Sequence, residues 1–451
     1  MSTLMFSISG VRGIIGGGLE PETIVKYTSA YADFIGSGKV VVGRDSRISG
    51  EMVRTLTIGT LLAKGIDVVD IGICPTPTVQ FNVKILNAQG GIAISASHNP
   101  NEWNALKLLN STGQFLSPDE FAVLSNILQS GLKPYATWDK LGKYTLYEEG
   151  LENHKSRVLA LPFIDIEKIK AKKFRVVADC VNGAGFKIIP ELLRDFGCEV
   201  IELDCESTGI FPRLPEPLPE NLTATMKAVV DNNADFAVVV DPDVDRLVLI
   251  TDKGEPFSEE NTITQAVKFI LSKQKGDSVV NLSTTRGVDD VTKAAGGKLF
   301  RSPVGEANVV KKMKETGAVI GGEGSGGVIL PALHYGRDAL VGIAILLQHL
   351  TEFGGSLSAL KDALPKYFIA KRKIELKNIS PDVILGKVAG HYKNGEINTE
   401  DGIRIDFPDH WVHFRKSNTE PIIRIITESP DQHLSEKLIE EYVGKIKEFA
   451  K

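Results

Sequence analysis

The chain has 451 residues, 42% hydrophobic and 24% charged, and a net charge of −5. That length makes about three domains the starting expectation, with ample chain for several buried cores. With no basic block, no signal-peptide pattern and no apolar run long enough to span a bilayer, neither nucleic-acid binding nor membrane insertion is expected, and a cytoplasmic enzyme is the default. The four cysteines, Cys74, Cys180, Cys198 and Cys205, lack metal-ligand spacing and read as reduced thiols.

The first clear unit is Lys39-Val-Val-Val-Gly-Arg44-Asp45-Ser46-Arg47, a strand running into a polar turn. A helix over 51–64, Gly65 as its C-cap and a strand over 68–71 follow. Next comes the apolar segment Gly91-Ile-Ala-Ile94, which leads into Ser-Ala-Ser97-His98-Asn99-Pro100. Pro100 biases Asn99 away from helix, so this polar turn is chemically specified. Strand, turn, helix, Gly and strand recur from Arg175 to Leu203 and, more faintly, from Asp277 to Phe300. Units spaced roughly a hundred residues apart predict homologous α/β domains with right-handed crossovers rather than a short-period solenoid. After Pro365 the rhythm changes to a strand over 374–377, a helix over 381–392, strands over 403–407, 411–414 and 422–426, and a helix over 431–449. The expected architecture is therefore three mixed-sheet α/β domains, at 1–155, 156–257 and 258–368, and a C-terminal α+β domain at 369–451.

Besides the Ser97 turn, three stretches carry chemistry. Ala237-Val-Val-Val-Asp241-Pro-Asp243-Val-Asp245-Arg246 drives an apolar strand into three alternating aspartates. Oxygen-only ligands at that spacing suit a hard cation such as Mg²⁺. An Asp-x-Asp after apolar residues also suits a haloacid-dehalogenase-type nucleophile. That family, however, expects Thr or Val where Asp245 stands, and places the motif at the start of its domain. Gly321-Gly-Glu323-Gly-Ser325-Gly-Gly327 reads as a glycine-dense loop after a strand over 318–320, with Glu323 and Ser325 able to meet sugar hydroxyls. It is neither a Walker A nor a Rossmann loop. Arg415-Lys-Ser417-Asn418-Thr419-Glu-Pro421 suits a phosphate cradle and equally a plain hairpin loop. Ser9-Gly-Val-Arg12-Gly and Gly43-Arg-Asp-Ser-Arg47 place arginines in glycine-flanked turns; each alone reads as structural.

Together, and in this order along nearly the whole chain, these motifs closely resemble the α-D-phosphohexomutase family of phosphoglucomutases, phosphomannomutases and phosphoglucosamine mutases. Cys74-Pro-Thr-Pro-Thr78, Pro215-Glu-Pro-Leu-Pro-Glu-Asn221 and Val304-Gly305 add to the match. The resemblance implies four domains around a central cleft and a cytoplasmic enzyme, monomer or homodimer, acting on small sugar phosphates. It implies interconversion of hexose 6-phosphate and hexose 1-phosphate, with a hexose 1,6-bisphosphate as intermediate and activator. Ser97 then corresponds to the phosphoryl-carrying serine, and Ser97, Asp241, Asp243 and Asp245 to the Mg²⁺ ligands. Lys107, Arg12, His98 and Arg246 match catalytic positions. Glu323 and Ser325 match sugar contacts, and Arg415, Ser417, Asn418 and Thr419 the distal phosphate cradle. Where many members carry His after the Ser-Gly of the sugar loop, this chain has Gly327, so His334 or Lys107 is expected to take over its proton-handling part. The pattern leans toward glucosamine phosphate. A non-catalytic sugar-phosphate-binding protein is the alternative of a different class.

Overall fold

The computed structural model describes residues 3–376, 379–392, 395–416 and 422–450. It divides into two compact units, Met1–Thr262 with Gly326–Leu360, and Ile263–Ser325 with Lys361–Lys451.

The first unit opens on a seven-stranded mixed sheet. Its order is Met5–Ser7, Gly10–Ile14, Trp103–Leu109, Gly90–Ile94, Lys39–Arg44, Asp67–Ile73 and Tyr144–Leu146. Lys39–Arg44 runs parallel to both Asp67–Ile73 and Gly90–Ile94, as the strand–helix–strand unit requires. Gly90–Ile94 then pairs antiparallel with Trp103–Leu109. That hairpin has a direct consequence. Its turn is the Ser97 segment, and its return strand sets Lys107 opposite Ala93.

The second sheet has the order Leu247–Thr251, Phe236–Val240, Arg175–Asp179 and Glu199–Leu203. All five residues of Phe236–Val240 are fully buried. Each large apolar side chain contributes about 1.5–3 kcal/mol on burial, so the strand rigidly anchors the turn at its C-terminal end. It pairs antiparallel with Leu247–Thr251, closing on Val240 against Leu247. Residues 241–246, the aspartate segment, are therefore a tight turn held at both ends by buried strands.

The second unit carries a parallel group, Leu299–Ser302, Ser278–Asn281 and Ile320–Glu323. Here the glycine-dense stretch differs from expectation. Gly321 and Gly322 lie inside the strand Ile320–Glu323, paired with Val279 and Val280. Crowding explains the glycine: a Cβ on Gly321 would meet Met313 Sδ at 2.5 Å and the Val279 carbonyl oxygen at 2.8 Å. Glu323 is thus the last residue of a strand, not a loop residue.

The C-terminal sheet of this unit has five antiparallel strands in the order Phe368–Glu375, Ile422–Ser429, Trp411–Lys416, Ile403–Asp406 and Glu396–Asn398. Its apolar face, with Ile405, Val412, Phe414, Ile423 and Ile425, packs against Ile439, Tyr442 and Ile446 of the helix Gln432–Phe449. The strand Phe368–Glu375 is longer than the 374–377 expected from sequence. Lys371, Arg372 and Lys373 hide its alternation, and they belong to an edge strand, where charge deters pairing with another chain.

His413, fully buried in this sheet, donates from Nε2 to the Asp401 carbonyl oxygen at 2.7 Å, and its Nδ1 lies 2.9 Å from the Ser283 hydroxyl. Burial lowers its pKa to about 4, so the folded ring is neutral. The unfolded chain binds a proton near pH 6.5, so His413 stabilises the fold above that pH and loses the contribution as pH falls toward 4. A His413→Gln variant should show a shallower loss of thermal stability between pH 7 and 4.5 than the parent. Equal slopes by calorimetry would contradict this.

Candidate active site

Ser97 sits 4% exposed on the hairpin turn with φ of +49°, the left-handed region. The turn is held by Arg47, which no single motif marked as more than structural. Its guanidinium donates to the carbonyl oxygens of Ser97 (2.6 Å), Asn99 (2.8 Å) and Pro100, and from Nε to Asp45 Oδ2 (3.0 Å). Arg12 Nη1 donates to Asn99 Oδ1 at 2.7 Å. Three loop carbonyls and one side-chain amide are thus fixed before any ligand arrives.

The Ser97 hydroxyl donates to Asp241 Oδ2 at 2.9 Å, across 144 residues of sequence. Within the aspartate turn, Asp241 Oδ1 accepts from the backbone N–H of Asp245 (3.2 Å) and of Arg246 (3.3 Å). Val244 takes φ of +63°, an uncommon region for a β-branched residue, and its carbonyl is tied to the Ala339 N–H at 3.2 Å. Lys107 Nζ donates to Asp243 Oδ2 and lies 3.7 Å from Asp245 Oδ2. Thr76 also donates to Asp243 Oδ2, which gives the Cys74-Pro-Thr-Pro-Thr78 segment its place in the site. Arg337 Nη2 donates to Asp245 Oδ2.

One carboxylate oxygen on each of the two later aspartates is left over. Asp243 Oδ1 and Asp245 Oδ1 are buried and accept no hydrogen bond among the described residues. The three carboxylates lie close enough to share one ion. Burial, together with Asp245 and Asp243, pushes the Asp241 carboxyl well above the usual carboxylate range. Asp243 is held well below it: burial raises it, and Lys107 with Thr76 outweighs that effect. Three buried, converging carboxylates with two bare oxygens fit a hard divalent cation. The Arg246 Nε is likewise buried without a hydrogen bond among the described residues, a donor suited to an anionic oxygen.

His98 Nδ1 is 3.4 Å from Ser97 Oγ. Burial first, then Arg246 and Arg12, lower its pKa to about 2, so the ring is neutral beside the unphosphorylated Ser97. His334 keeps different company. Its Nε2 and that of His154 lie 3.0 and 2.8 Å from Asp338 Oδ2, while Asp338 Oδ1 caps the helix Ala339–Phe353. The space beside Gly327 is filled by Arg337, since a Cβ there would meet Arg337 Cδ at 2.3 Å.

Ser97, His98, Lys107, Arg12, the three aspartates and Arg246 are therefore gathered in the first unit. Glu323, Ser325 and Arg415 belong to the second. There Glu323 Oε1 accepts from Asn281 Nδ2 and the Gly305 N–H, both at 2.9 Å. Arg415 Nε donates to Asp401 Oδ2 at 2.8 Å, and the same oxygen accepts from the Val304 N–H at 2.9 Å, which links Arg415 to the Val304-Gly305 turn. Ser417, Asn418 and Thr419 lie outside the described residues.

Family models for the phosphoglucomutase/phosphomannomutase α/β/α domains I, II and III and the C-terminal domain match residues 3–133, 153–254, 260–368 and 373–445 in turn. The chain belongs to the phosphoglucomutase/phosphomannomutase family. It is accordingly a mutase, a phosphotransferase of the isomerase class. A "Phosphoglucomutase/phosphomannomutase" from Thermococcus kodakarensis is 37% identical, covering 99% of both chains. A "Probable phosphoglucosamine mutase" from Methanopyrus kandleri is 34% identical, covering 98% of this chain and 97% of the relative. Among solved structures, a phosphoglucomutase/phosphomannomutase family protein from Burkholderia thailandensis superimposes with a TM-score of 0.84 at 25% identity, over 99% of this chain and 98% of the other. No helix among the described residues of this mutase is long and apolar enough to cross a membrane.

Proposed function

We propose that this mutase interconverts hexose 6-phosphate and hexose 1-phosphate by way of a phosphoserine at Ser97, with glucosamine phosphate as the preferred sugar. The observation that carries the reading is the Ser97 hydroxyl, donated to the first of three converging buried aspartates and flanked by Lys107 and Arg246. A phosphoserine brings about −1.5 to −2 charge, and beside three carboxylates it needs cations to be tolerated. Ser97, Asp241, Asp243 and Asp245 would hold Mg²⁺, which when bound neutralises that charge.

The remaining steps belong to the chain. The bond between phosphorus and Ser97 Oγ breaks as a bond from phosphorus to the free hydroxyl oxygen of the sugar phosphate forms. The proton of that hydroxyl passes, directly or through Lys107, to the departing Ser97 Oγ, which ends as a hydroxyl. The resulting 1,6-bisphosphate turns over, and its other phosphate returns to Ser97. Arg47 keeps the loop carbonyls still, so that Oγ is aimed in line. Lys107 and Arg12 carry charge or a proton at the transferring group. Catalysis of this kind rests on position and charge far more than on covalent chemistry. Glu323 and Ser325 serve as hydroxyl contacts, and Arg415, Ser417, Asn418 and Thr419 as the distal phosphate cradle.

The name of the Methanopyrus kandleri relative supports glucosamine, and that of the Thermococcus kodakarensis relative supports glucose and mannose as a second reading. Comparing kcat/KM for glucosamine, glucose and mannose phosphates with a bisphosphate activator decides between them. Purified protein should carry phosphate on Ser97 by peptide mass spectrometry. Chelation of divalent cations should abolish turnover, and Mg²⁺ should restore it. No turnover of any of the three substrates with Mg²⁺ and bisphosphate present would favour a binding protein instead.

A further inference from the structure

We propose that Arg337 is a positioning residue that makes Asp245 present a single oxygen to the metal, and so selects the small octahedral Mg²⁺ over Ca²⁺. The inference rests on the reading of the aspartate turn as a divalent-cation site. It goes beyond that reading by assigning a role to a residue 92 positions away from Asp245.

The geometry is paired. Asp243 Oδ2 is taken by Lys107 Nζ and Thr76 Oγ1, and Asp245 Oδ2 by Arg337 Nη2, leaving Oδ1 of each buried and without a hydrogen bond among the described residues, with Arg246 Nε 3.8 Å from that of Asp245. Asp241 has its Oδ1 held by two backbone N–H groups. Asp243 and Asp245 are therefore each pinned by one oxygen and offer the other, while the free side of Asp241, Oδ2, faces the Ser97 hydroxyl. Three monodentate ligands suit Mg²⁺, which demands near-ideal octahedral geometry and keeps several waters. Ca²⁺ takes more ligands and accepts carboxylates through both oxygens. A guanidinium that holds the second oxygen fixes the carboxylate plane and competes for that oxygen's lone pairs, which disfavours bidentate binding.

The chain is shaped around this side chain. Arg337 forms a bridge with Ile329, and the neighbouring Asp338 N–H donates to the Val328 carbonyl at 2.9 Å, so its backbone is fixed by the strand Gly327–Ile329. Gly327 lies under its stem: an added Cβ would come within 2.3 Å of Cδ and 2.9 Å of Cγ. Gly326, with φ of +89°, backs onto the Leu247 carbonyl just past the aspartate turn, where a Cβ would sit 2.3 Å from the oxygen. The two glycines after Ser325 are thus explained by the approach of Arg337 and of the turn it reaches. Arg337 is 12% exposed at its side chain and Asp245 1%, so the contact is shielded from water.

The test is a calorimetric titration of the purified full-length chain with MgCl₂ alone and with CaCl₂ alone, phosphate occupancy being matched by intact mass. The parent should prefer Mg²⁺. In Arg337→Met the ratio of Mg²⁺ to Ca²⁺ affinity should fall by about tenfold or more, the usual scale for removing a group that orients a metal ligand. Removing a positive charge alone raises both affinities together, and loosening of the fold lowers both. Only the ratio reports Asp245 becoming bidentate. If Arg337→Met does not fold, Gly327→Ala takes its place, since the added methyl displaces the arginine stem while keeping its charge. An unchanged ratio in the folded variant overturns the inference. A parent chain that binds neither ion overturns the metal reading of the turn, and this inference with it.

Discussion

A Ser97→Ala chain is expected to fold, to bind divalent cations, and to lose mutase activity by about four orders of magnitude or more, on the order of 5.5 kcal/mol of transition-state stabilisation. The substitution deletes one hydroxyl, with its hydrogen bond to Asp241 Oδ2 and its longer contact with His98 Nδ1, in a turn otherwise held by Arg47 and by the Ser95 hydroxyl, which accepts from the Ser97 N–H at 3.0 Å. Its cost to stability should be about 1 kcal/mol. Position and charge remain, because Asp243, Asp245, Lys107 and Arg337 hold one another without Ser97. The variant loses only the acceptor. Added hexose 1,6-bisphosphate distinguishes this loss from a trivial one. A chain that is merely unphosphorylated regains activity with bisphosphate, whereas a chain without Oγ has nowhere to put the second phosphate. Rescue of Ser97→Ala by bisphosphate, or residual turnover within about tenfold of the parent, would remove Ser97 from its place in the mechanism.

The parts of this site that were legible in the sequence share a property: their chemistry and their position come from neighbouring residues. Asp241, Asp243 and Asp245 come directly after five buried strand residues, so alternation and burial could be read from one window. Ser97 comes after Gly90–Ile94 in the same way. The four-domain order emerged from recurring strand–turn–helix units and from the motifs in sequence. The hidden parts depend on contacts distant in sequence. Arg47 meets Ser97 through backbone carbonyls 50 residues away, and no side-chain pattern announces which carbonyls face inward. Arg337 reaches Asp245 from 92 positions along the chain, and no local pattern pairs the two. The glycine-dense stretch misled for the opposite reason. Glycine signals a loop by its freedom, yet Gly321 is in a strand because Met313 leaves no room for a Cβ.

Arg47 supports the second large prediction, because its burial makes it costly to remove. It is 1% exposed, as is Asp45, and their side chains meet at 3.0 Å with the Phe211 ring 4.7 Å from the guanidinium. In Arg47→Met the apolar stem is roughly kept, but the Asp45 carboxylate is left buried without its partner and the carbonyls of Ser97, Asn99 and Pro100 lose their shared donor. Breaking such a pair at one side costs about 3–5 kcal/mol. Activity should fall alongside stability, since an in-line attack tolerates little drift of Ser97 Oγ. The two effects separate in a double variant. Arg47→Met with Asp45→Asn removes the stranded charge, so a substantial part of the lost thermal stability should return. Activity should not return, because the three carbonyls remain unheld. Differential scanning calorimetry and turnover measured on the parent, both single variants and the double variant test both halves. If Arg47→Met melts with the parent and keeps its rate, the loop does not depend on this guanidinium. If the double variant recovers activity as fully as stability, Arg47 serves the fold and not the aim of Ser97.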